Sequence, residues 1–572
     1  MYTNIKNIQI LVSALKTYGV RHVVLSPGGS DIPIVHSIEA DPWFKYYSVV
    51  DERSAAYFGM GLSQQLNEPV ACVCTSGTAV SNYLPAITEA FYQDVPLIAI
   101  TADKDPLFQG QIQTQKIEQR GIFGECVRAS VDLPQCRDAN ETWYCERLIK
   151  EAFMACFQKT HGPIHINVPV VSAYNVYDCK ELPKIRKVNY MTCESPKETW
   201  QEYTRIMKGA KRILVFVGQD VAFAREDIDD MERFFERYNA VFAVEHHSNL
   251  NCAGCIHTYP VTETQTPKED NLVPDLVINI GNNVTGYSMK PFLRRHRADF
   301  RHIEVDVNGR FRDVFMGLND VFECKPQTFF HYFATCPEGE GQSDHSYYKV
   351  WEEKAATIAV PDFDFSELCV AKYVTEAIPA GSILHTAILN SSRIVQYFPL
   401  AEGVRVFSNT GALGIDGCLS TFMGHAAATD KLCFLMTGDL AFFYDMNAAG
   451  LRSLGKNVRI VLLNNGGGSE FHLFLDKKDV ATMNENICAS HQKVAEGWIK
   501  SLGYEYHAVR NVGELEDALK DFCAPSEGPK FIEVFTNLEG DAATTKAFYA
   551  SFAKPYDVVE IAKKIAKKVL RK

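Results

Sequence analysis

A chain of 572 residues is too long for one ordinary hydrophobic core, so two to four domains are expected. Its composition, 46% hydrophobic and 22% charged, is that of a soluble globular protein. The net charge of −12, with no basic block before Lys563-Lys564-Ile565-Ala566-Lys567-Lys568, argues against a nucleic-acid partner, and the lack of an apolar run of about 18 residues argues against a membrane span.

From Ile8 to Pro169, short β-rich runs alternate with helical segments. The runs are His22 to Leu25, Tyr46 to Val50, Val70 to Cys74, Leu97 to Thr101 and Ile164 to Val168. Such alternation predicts a parallel sheet covered by helices. A polar stretch, roughly Lys180 to Thr199, reads as a linker. A second α/β unit begins at Arg212-Ile213-Leu214-Val215-Phe216-Val217-Gly218 and continues through Leu276 to Gly281 and His302 to Asp306. A third runs from about residue 365. The expected fold is α/β, with three doubly wound parallel-sheet domains at 1–185, 195–345 and 365–572. The terminal lysines read as the solvated face of a last helix, opposite Ile561, Ile565 and Val569. The 17 cysteines lack paired zinc-finger spacing, and residues 1–6 lack an apolar signal core. Buried free thiols in a cytoplasmic protein are therefore expected.

Chemistry concentrates first in the third unit. The apolar run Leu432 to Met436 ends in Thr437-Gly438-Asp439, and Val458 to Leu463 ends in Asn464-Asn465-Gly466-Gly467-Gly468. Residues 441–455 space their apolar side chains at helical intervals and stop at Gly455, so the whole reads strand, helix, parallel strand. Ligands of open α/β sheets bind where the carboxyl ends of such strands face the helix start, and Asp439 and Asn465 are expected to meet there. A carboxylate, an amide and a glycine carbonyl supply the oxygens a hard divalent cation takes, and the helix start offers N–H groups to phosphate. A helix-capping Asp with two turn asparagines explains the same residues equally well.

The first unit carries a second group. Ser26-Pro27-Gly28-Gly29 follows a strand, and Asp51-Glu52-Arg53-Ser54 opens a helix whose dipole favours the Glu52 anion. Cys74-Thr75-Ser76-Gly77-Thr78-Ala79 places small residues between strand and helix, which suits close approach of a ligand to the backbone or simply a tight turn.

In order, Glu52, Thr75-Ser76-Gly77-Thr78, Gly162 to Pro169, Gly438-Asp439 and Asn464-Asn465 resemble the thiamine-diphosphate enzymes over nearly the whole chain. Leu25 to Gly28, Asp51 to Ala55, Thr75 to Ala86, Leu97 to Asp103, Asn409 to Gly417 and Tyr444 to Asn447 are similar, more narrowly, to the 2-succinyl-5-enolpyruvyl-6-hydroxy-3-cyclohexene-1-carboxylate synthases (MenD). The resemblance implies pyrimidine-binding, central and diphosphate-binding domains in that order. It implies thiamine diphosphate and Mg2+ or Mn2+ as cofactors, and a homodimer at least, with a tetramer as the alternative, because the families build the site between two subunits. The implied reaction decarboxylates a 2-oxo acid donor and passes the carbanion equivalent to an acceptor; the alternatives are the synthase reaction itself on 2-oxoglutarate and isochorismate, a simple decarboxylase that passes it to a proton, and a cofactor-binding protein without turnover.

Residue by residue, Glu52 matches the glutamate that hydrogen-bonds the aminopyrimidine so that its own N4′ takes the thiazolium proton. Gln115 matches a glutamine near the reacting centre. Asp439, Asn465 and Gly467 match metal ligands. Ser26, Pro27, Gly28, Thr75 and Gly77 match the pyrimidine side of the cofactor pocket. Asn390, Ser391, Gly438, Leu440 and Ala441 match the diphosphate side, and Ile415 matches the wedge that bends the cofactor.

Several of the family's substrate arginines are missing. Its Ser-Pro-Gly-Ser-Arg-Ser appears as Ser26-Pro27-Gly28-Gly29-Ser30-Asp31, its Asn-Arg-Gly as Asn409-Thr410-Gly411, and Val395 holds a further arginine position, with Arg393 nearby. Thr-Ala-Asp-Arg-Pro becomes Thr101-Ala102-Asp103-Lys104-Asp105, Thr-Gly-Lys becomes Thr285-Gly286-Tyr287, and Glu470 stands where an apolar residue is usual. Each lost charged hydrogen bond costs roughly 1.5–3 kcal/mol of binding. Changed substrates are therefore expected, with Gly29, Ser30, Asp31, Lys104, Arg393, Thr410, Glu470, Phe471 and His472 as candidate pocket residues.

Overall fold

The computed structural model describes residues 1–171, 176–219, 223–264, 270–339, 341–451, 455–475 and 482–552. Its strands fall into three sheets in which every pairing is parallel. The chain folds into two compact units, one made of residues 1–194 with 308–323, the other of residues 195–307 with those from 324 onward.

In the first unit the strand order is Lys45–Ser48, His22–Ser26, Val70–Cys74, Leu97–Asp103, Ile164–Pro169, Ala129–Asp132. Alternate side chains feed two cores. Val23, Leu25, Ala71 and Val73 pack with the helices Lys6–Thr17 and Ala139–Phe157, whereas Val24, Val70, Cys72 and Cys74 pack with Glu52–Leu66 and Leu84–Tyr92. Burial on both faces explains why these strands read as continuous apolar runs. The chain starts at His22–Ser26 and winds to either side, so the loops after His22–Ser26 and Val70–Cys74 flank the point where strand order reverses, the place such sheets bind ligands.

The second unit holds two sheets. One runs Cys255–His257, Ala240–Val244, Ile213–Val217, Leu276–Ile280, Arg301–Asp306. The other runs Arg405–Phe407, Ile383–Thr386, Cys433–Gly438, Val458–Asn464, Lys530–Phe535, Glu505–Val509. The latter is again buried on both faces, with Leu384, Phe434, Met436 and Val461 in one core and Ile383, Cys433, Leu435 and Ile460 in the other. Its reversal point lies between Ile383–Thr386 and Cys433–Gly438.

Two local expectations are corrected. The helix read over 441–455 is short: it spans Asp439–Tyr444, a 3-10 turn covers Met446–Gly450, and residues 452–454 are outside the described residues. Asp445 ends it, because its carboxylate turns to accept from Ser420 N and Oγ at 2.7 Å. The polar stretch read as a linker contains a strand, Asn189–Thr192, paired in parallel with Leu318–Glu323 in the first unit. The lysine-rich terminus lies outside the described residues. All 17 cysteines are thiols, and 10 of them are buried. Among the described residues no helix is long and apolar enough to cross a membrane.

Candidate functional site

In the first unit the two loops at the reversal point interlock. Ser30 N donates to Thr75 Oγ1 at 3.1 Å, and the Ser30 and Ser76 hydroxyls lie 2.9 Å apart. A Cβ on Gly28 would stand 2.5 Å from Thr75 Cβ, so closure of Ser26-Pro27-Gly28 on this loop requires glycine. Ser26 Oγ donates to Val49 O at 2.9 Å, fixing the strand end that leads to Glu52. Asp51 caps the following helix by accepting Ser54 N at 3.0 Å, and Glu52, half-buried, occupies its first turn. Asp31 is fully buried. Its Oδ1 accepts Gly28 N at 2.7 Å, its Oδ2 has no partner among the described residues, and burial pushes its carboxyl up to about 6. Gly29 is exposed beside it.

Gly77 adopts φ +88°, and its N–H donates to Gln119 Oε1 at 3.0 Å. Gln119 Nε2 in turn donates to Ala102 O (3.2 Å) and Asn167 Oδ1 (2.9 Å). Gln115 is exposed at φ +55°, and its backbone lies close over Gly77. The neighbouring Lys116 forms a deeply buried 2.7 Å ion pair with Asp103, whose Oδ1 also accepts the N–H of half-buried Lys104.

In the second unit the structure brings Asp439 and Asn465 together. Asp439 Oδ2 accepts the N–H groups of Gly466 (2.8 Å) and Gly467 (2.9 Å), while Oδ1 accepts Leu440 N (2.6 Å). Gly467 N also reaches Asn465 Oδ1 at 3.2 Å. Asn465 Nδ2 donates to Glu367 and, at 3.3 Å, to Asp541. Asn390 Nδ2 donates to Ser469 Oγ at 2.8 Å, and a Cβ on Gly438 would lie 3.9 Å from Ser391 Oγ, which shows how closely the two loops pass. Buried Ala441 packs with Ala387, Ile388 and Cys418, with Ile415 against the same cluster. Burial raises Asp439 to about 6, and burial with the Asp541 and Asp439 charges holds Glu367 well above the usual carboxylate range.

The remaining candidates are arranged differently. Buried Arg393 donates from Nη1 to Glu470 Oε1 at 2.6 Å and from Nε to Thr285 O at 3.3 Å, with its guanidinium 3.7 Å from the Tyr287 ring centroid. Thr410 is buried, its Oγ1 3.1 Å from Gln219 Oε1. His472 is buried against Asn484 Oδ1 at 2.9 Å, whereas Phe471 is exposed.

A family model described as "Thiamine pyrophosphate enzyme, N-terminal TPP binding domain" matches residues 6–122. The 2-succinyl-5-enolpyruvyl-6-hydroxy-3-cyclohexene-1-carboxylate synthase of Bacteroides thetaiotaomicron is 34% identical over 555 residues, 96% of this chain and 99% of the relative. The chain belongs to this thiamine-diphosphate family. The like-named synthase of Phocaeicola vulgatus is 35% identical with the same coverage, and that of Desulfotalea psychrophila 32% identical over 91% of this chain and 96% of the relative. The chain is thus a carbon–carbon bond-forming enzyme using thiamine diphosphate with a divalent metal.

The residues present fit those groups. Glu367 and Asp541 put two buried carboxylates on the Asn465 amide, buried Asp439 is held by the backbone of the same loop, and His491 faces Asp439, its buried Nε2 3.4 Å from Oδ2 without a hydrogen bond among the described residues. Burial lowers the His491 pKa, so the imidazole is a poor counter-charge and a divalent cation a good one. Gly467, at φ +151°, has room for no side chain: a Cβ would meet Cys488 O at 2.6 Å. Gln119, Glu367, Asp541 and His491 escaped sequence reasoning. Glu367 and Asp541 resemble ordinary acids in the first turn of a capped helix, and Gln119 and His491 carry no local signature.

Proposed function

We propose that this enzyme decarboxylates a 2-oxo acid and transfers the carbanion equivalent to an acceptor, with substrates different from those of the synthases it is similar to. The observation that carries the reading lies at the substrate positions: Ser30 and Asp31 fill the glycine loop, and Arg393 is paired with Glu470.

Bound thiamine diphosphate would supply the electron sink, and the protein supplies position and field. Glu52 would hydrogen-bond the aminopyrimidine ring; Asp439, Asn465 and the Gly467 carbonyl would hold Mg2+ or Mn2+; Asn390, Ser391, Gly438, Leu440 and Ala441 would line the diphosphate, with Ile415 as the wedge. Ser26, Pro27, Gly28, Thr75 and Gly77 would line the pyrimidine, and Gln115 would face the reacting centre. The domains are taken as 1–185, 195–345 and 365–572, the assembly as at least a homodimer, and the location as cytoplasmic, which the free thiols support.

Near full-length identity favours a second reading, authentic synthase activity on 2-oxoglutarate and isochorismate. One screen separates them: carbon dioxide release from 2-oxoglutarate, pyruvate, oxaloacetate and phosphonopyruvate with thiamine diphosphate and Mg2+, each with and without isochorismate. Turnover of an acid other than 2-oxoglutarate supports the proposal. Efficient product from 2-oxoglutarate plus isochorismate establishes the second reading, and no release from any acid refutes both.

A further inference from the structure

Arg393 is the one arginine that sequence reasoning offers to an anionic substrate in the second unit, and its charge and two of its three guanidinium nitrogens are already engaged. Thr285-Gly286-Tyr287-Ser288, the loop beneath it, is held from two sides by carboxylates. Glu245 accepts from Thr285 N (2.8 Å), Thr285 Oγ1 (2.6 Å) and Gly286 N (2.9 Å). Glu263 accepts from Tyr287 N (2.8 Å) and Ser288 N (2.7 Å). A loop pinned this way presents the Tyr287 ring as a fixed face, and the guanidinium lies on it.

The third side is Glu470, just beyond the candidate metal loop. Its Oε1 takes both Arg393 Nη1 at 2.6 Å and Tyr287 Oη at 3.0 Å, and its Oε2 is buried without a hydrogen bond among the described residues. The pair is largely shielded from water, with side-chain exposures of 10% and 14%. Arg393 is therefore neutralised by its own protein. A carboxylate arriving here would also meet the field of Glu245, Glu263 and Glu470, against Arg393 and Lys290, the latter already donating to Asn283.

Resting on the reading above, we infer that Glu470 is a specificity-determining residue: by locking Arg393 against Tyr287 it excludes a second carboxylate, so the donor is a 2-oxo monocarboxylic acid. Glu470 acts through Arg393. Without the Glu470 charge, the guanidinium has N–H groups to give and no internal anion to hold them.

The test uses the full chain loaded with thiamine diphosphate and Mg2+, as wild type, Glu470→Gln and Glu470→Asp. Carbon dioxide release is measured with pyruvate, 2-oxobutyrate and 2-oxoglutarate, and glutarate, which cannot react, is titrated by calorimetry. The wild type should favour the monocarboxylates by at least about tenfold in kcat/KM, the value of one charged hydrogen bond. Glu470→Gln should improve 2-oxoglutarate relative to pyruvate by about tenfold through KM, and tighten glutarate by a similar factor, while Glu470→Asp keeps the wild-type ratio. Wild-type preference for 2-oxoglutarate, or an unchanged ratio and unchanged glutarate affinity in Glu470→Gln, overturns the inference. Should no acid be turned over, the proposed donor reading fails, and the glutarate titration still decides the role of Glu470.

Discussion

Replacing Lys116 by Met should unsettle the floor of the first-unit site, and the structure sets the size of the effect. The Lys116–Asp103 pair is almost wholly buried, with side-chain exposures of 4% and 3%. Losing one partner of such a pair costs roughly 3–5 kcal/mol, because the other charge stays buried. Asp103 would keep two donors, Asn167 Nδ2 at 3.1 Å and Lys104 N at 2.7 Å, which places the cost near the lower end, about 3 kcal/mol. A chain with more than one unit does not unfold in one step, so hydrogen exchange is the proper assay. Amides of Leu97–Asp103 should lose protection by roughly 100-fold, the equivalent of that energy. Asp103→Asn combined with Lys116→Met should cost at least about 1 kcal/mol less than the sum of the singles, since both charges then leave together. Since Gln115 adjoins Lys116 and packs over Gly77, kcat should fall more than KM rises. Protection unchanged within a factor of two, or strictly additive singles, would refute the reasoning.

Three further outcomes are expected. Gly77→Ala should lose about 2 kcal/mol from forcing a side chain into φ +88°, together with cofactor affinity, both measurable by hydrogen exchange of the Val70–Cys74 amides with and without thiamine diphosphate. Mg2+ with thiamine diphosphate at a hundred times Kd should stabilise the wild type by about 2.7 kcal/mol, and Asp439→Ala should lose most of that gain in the same assay. Asp31 has a folded pKa raised from 3.8 to about 6, so the stability of its neutral form is fully present below about pH 4 and is lost as pH rises through 6, on the order of 3 kcal/mol in all. Hydrogen exchange of the His22–Ser26 amides from pH 4 to 7.5, corrected for the intrinsic rate at each pH, should show that decline in the wild type and a flatter profile in Asp31→Asn.

The sheets were legible because their strands, such as Val70–Cys74 and Val458–Asn464, are buried on both faces and stand out as unbroken apolar runs. Asn189–Thr192 was hidden because only one of its four residues, Met191, is buried, so its sequence looks like a linker. Asp439 and Asn465 were legible as strand-end residues beside glycines. Glu367 and Asp541 were not, since both lie at helix starts where an acid needs no explanation, and only the fold places Glu367 and Asp541 on the Asn465 amide. Gln119 shows the same limit: its partners Ala102 and Asn167 lie on two different strands, and Gly77 in the loop after a third. Arg393 was legible as a nearby cation, but its capture by Glu470 and Tyr287 depends on contacts far apart in sequence.

Catalysis as proposed depends on Glu52 assisting proton loss from the cofactor's C2. The most direct measurement is deuterium exchange at C2 of bound thiamine diphosphate, followed by NMR after acid quench, in wild type and Glu52→Gln, each saturated with cofactor and Mg2+. A positioned carboxyl group of this kind contributes about 10²–10⁴ in rate, so exchange should fall at least about 100-fold in the variant. Equal exchange rates in the two proteins would contradict that role for Glu52.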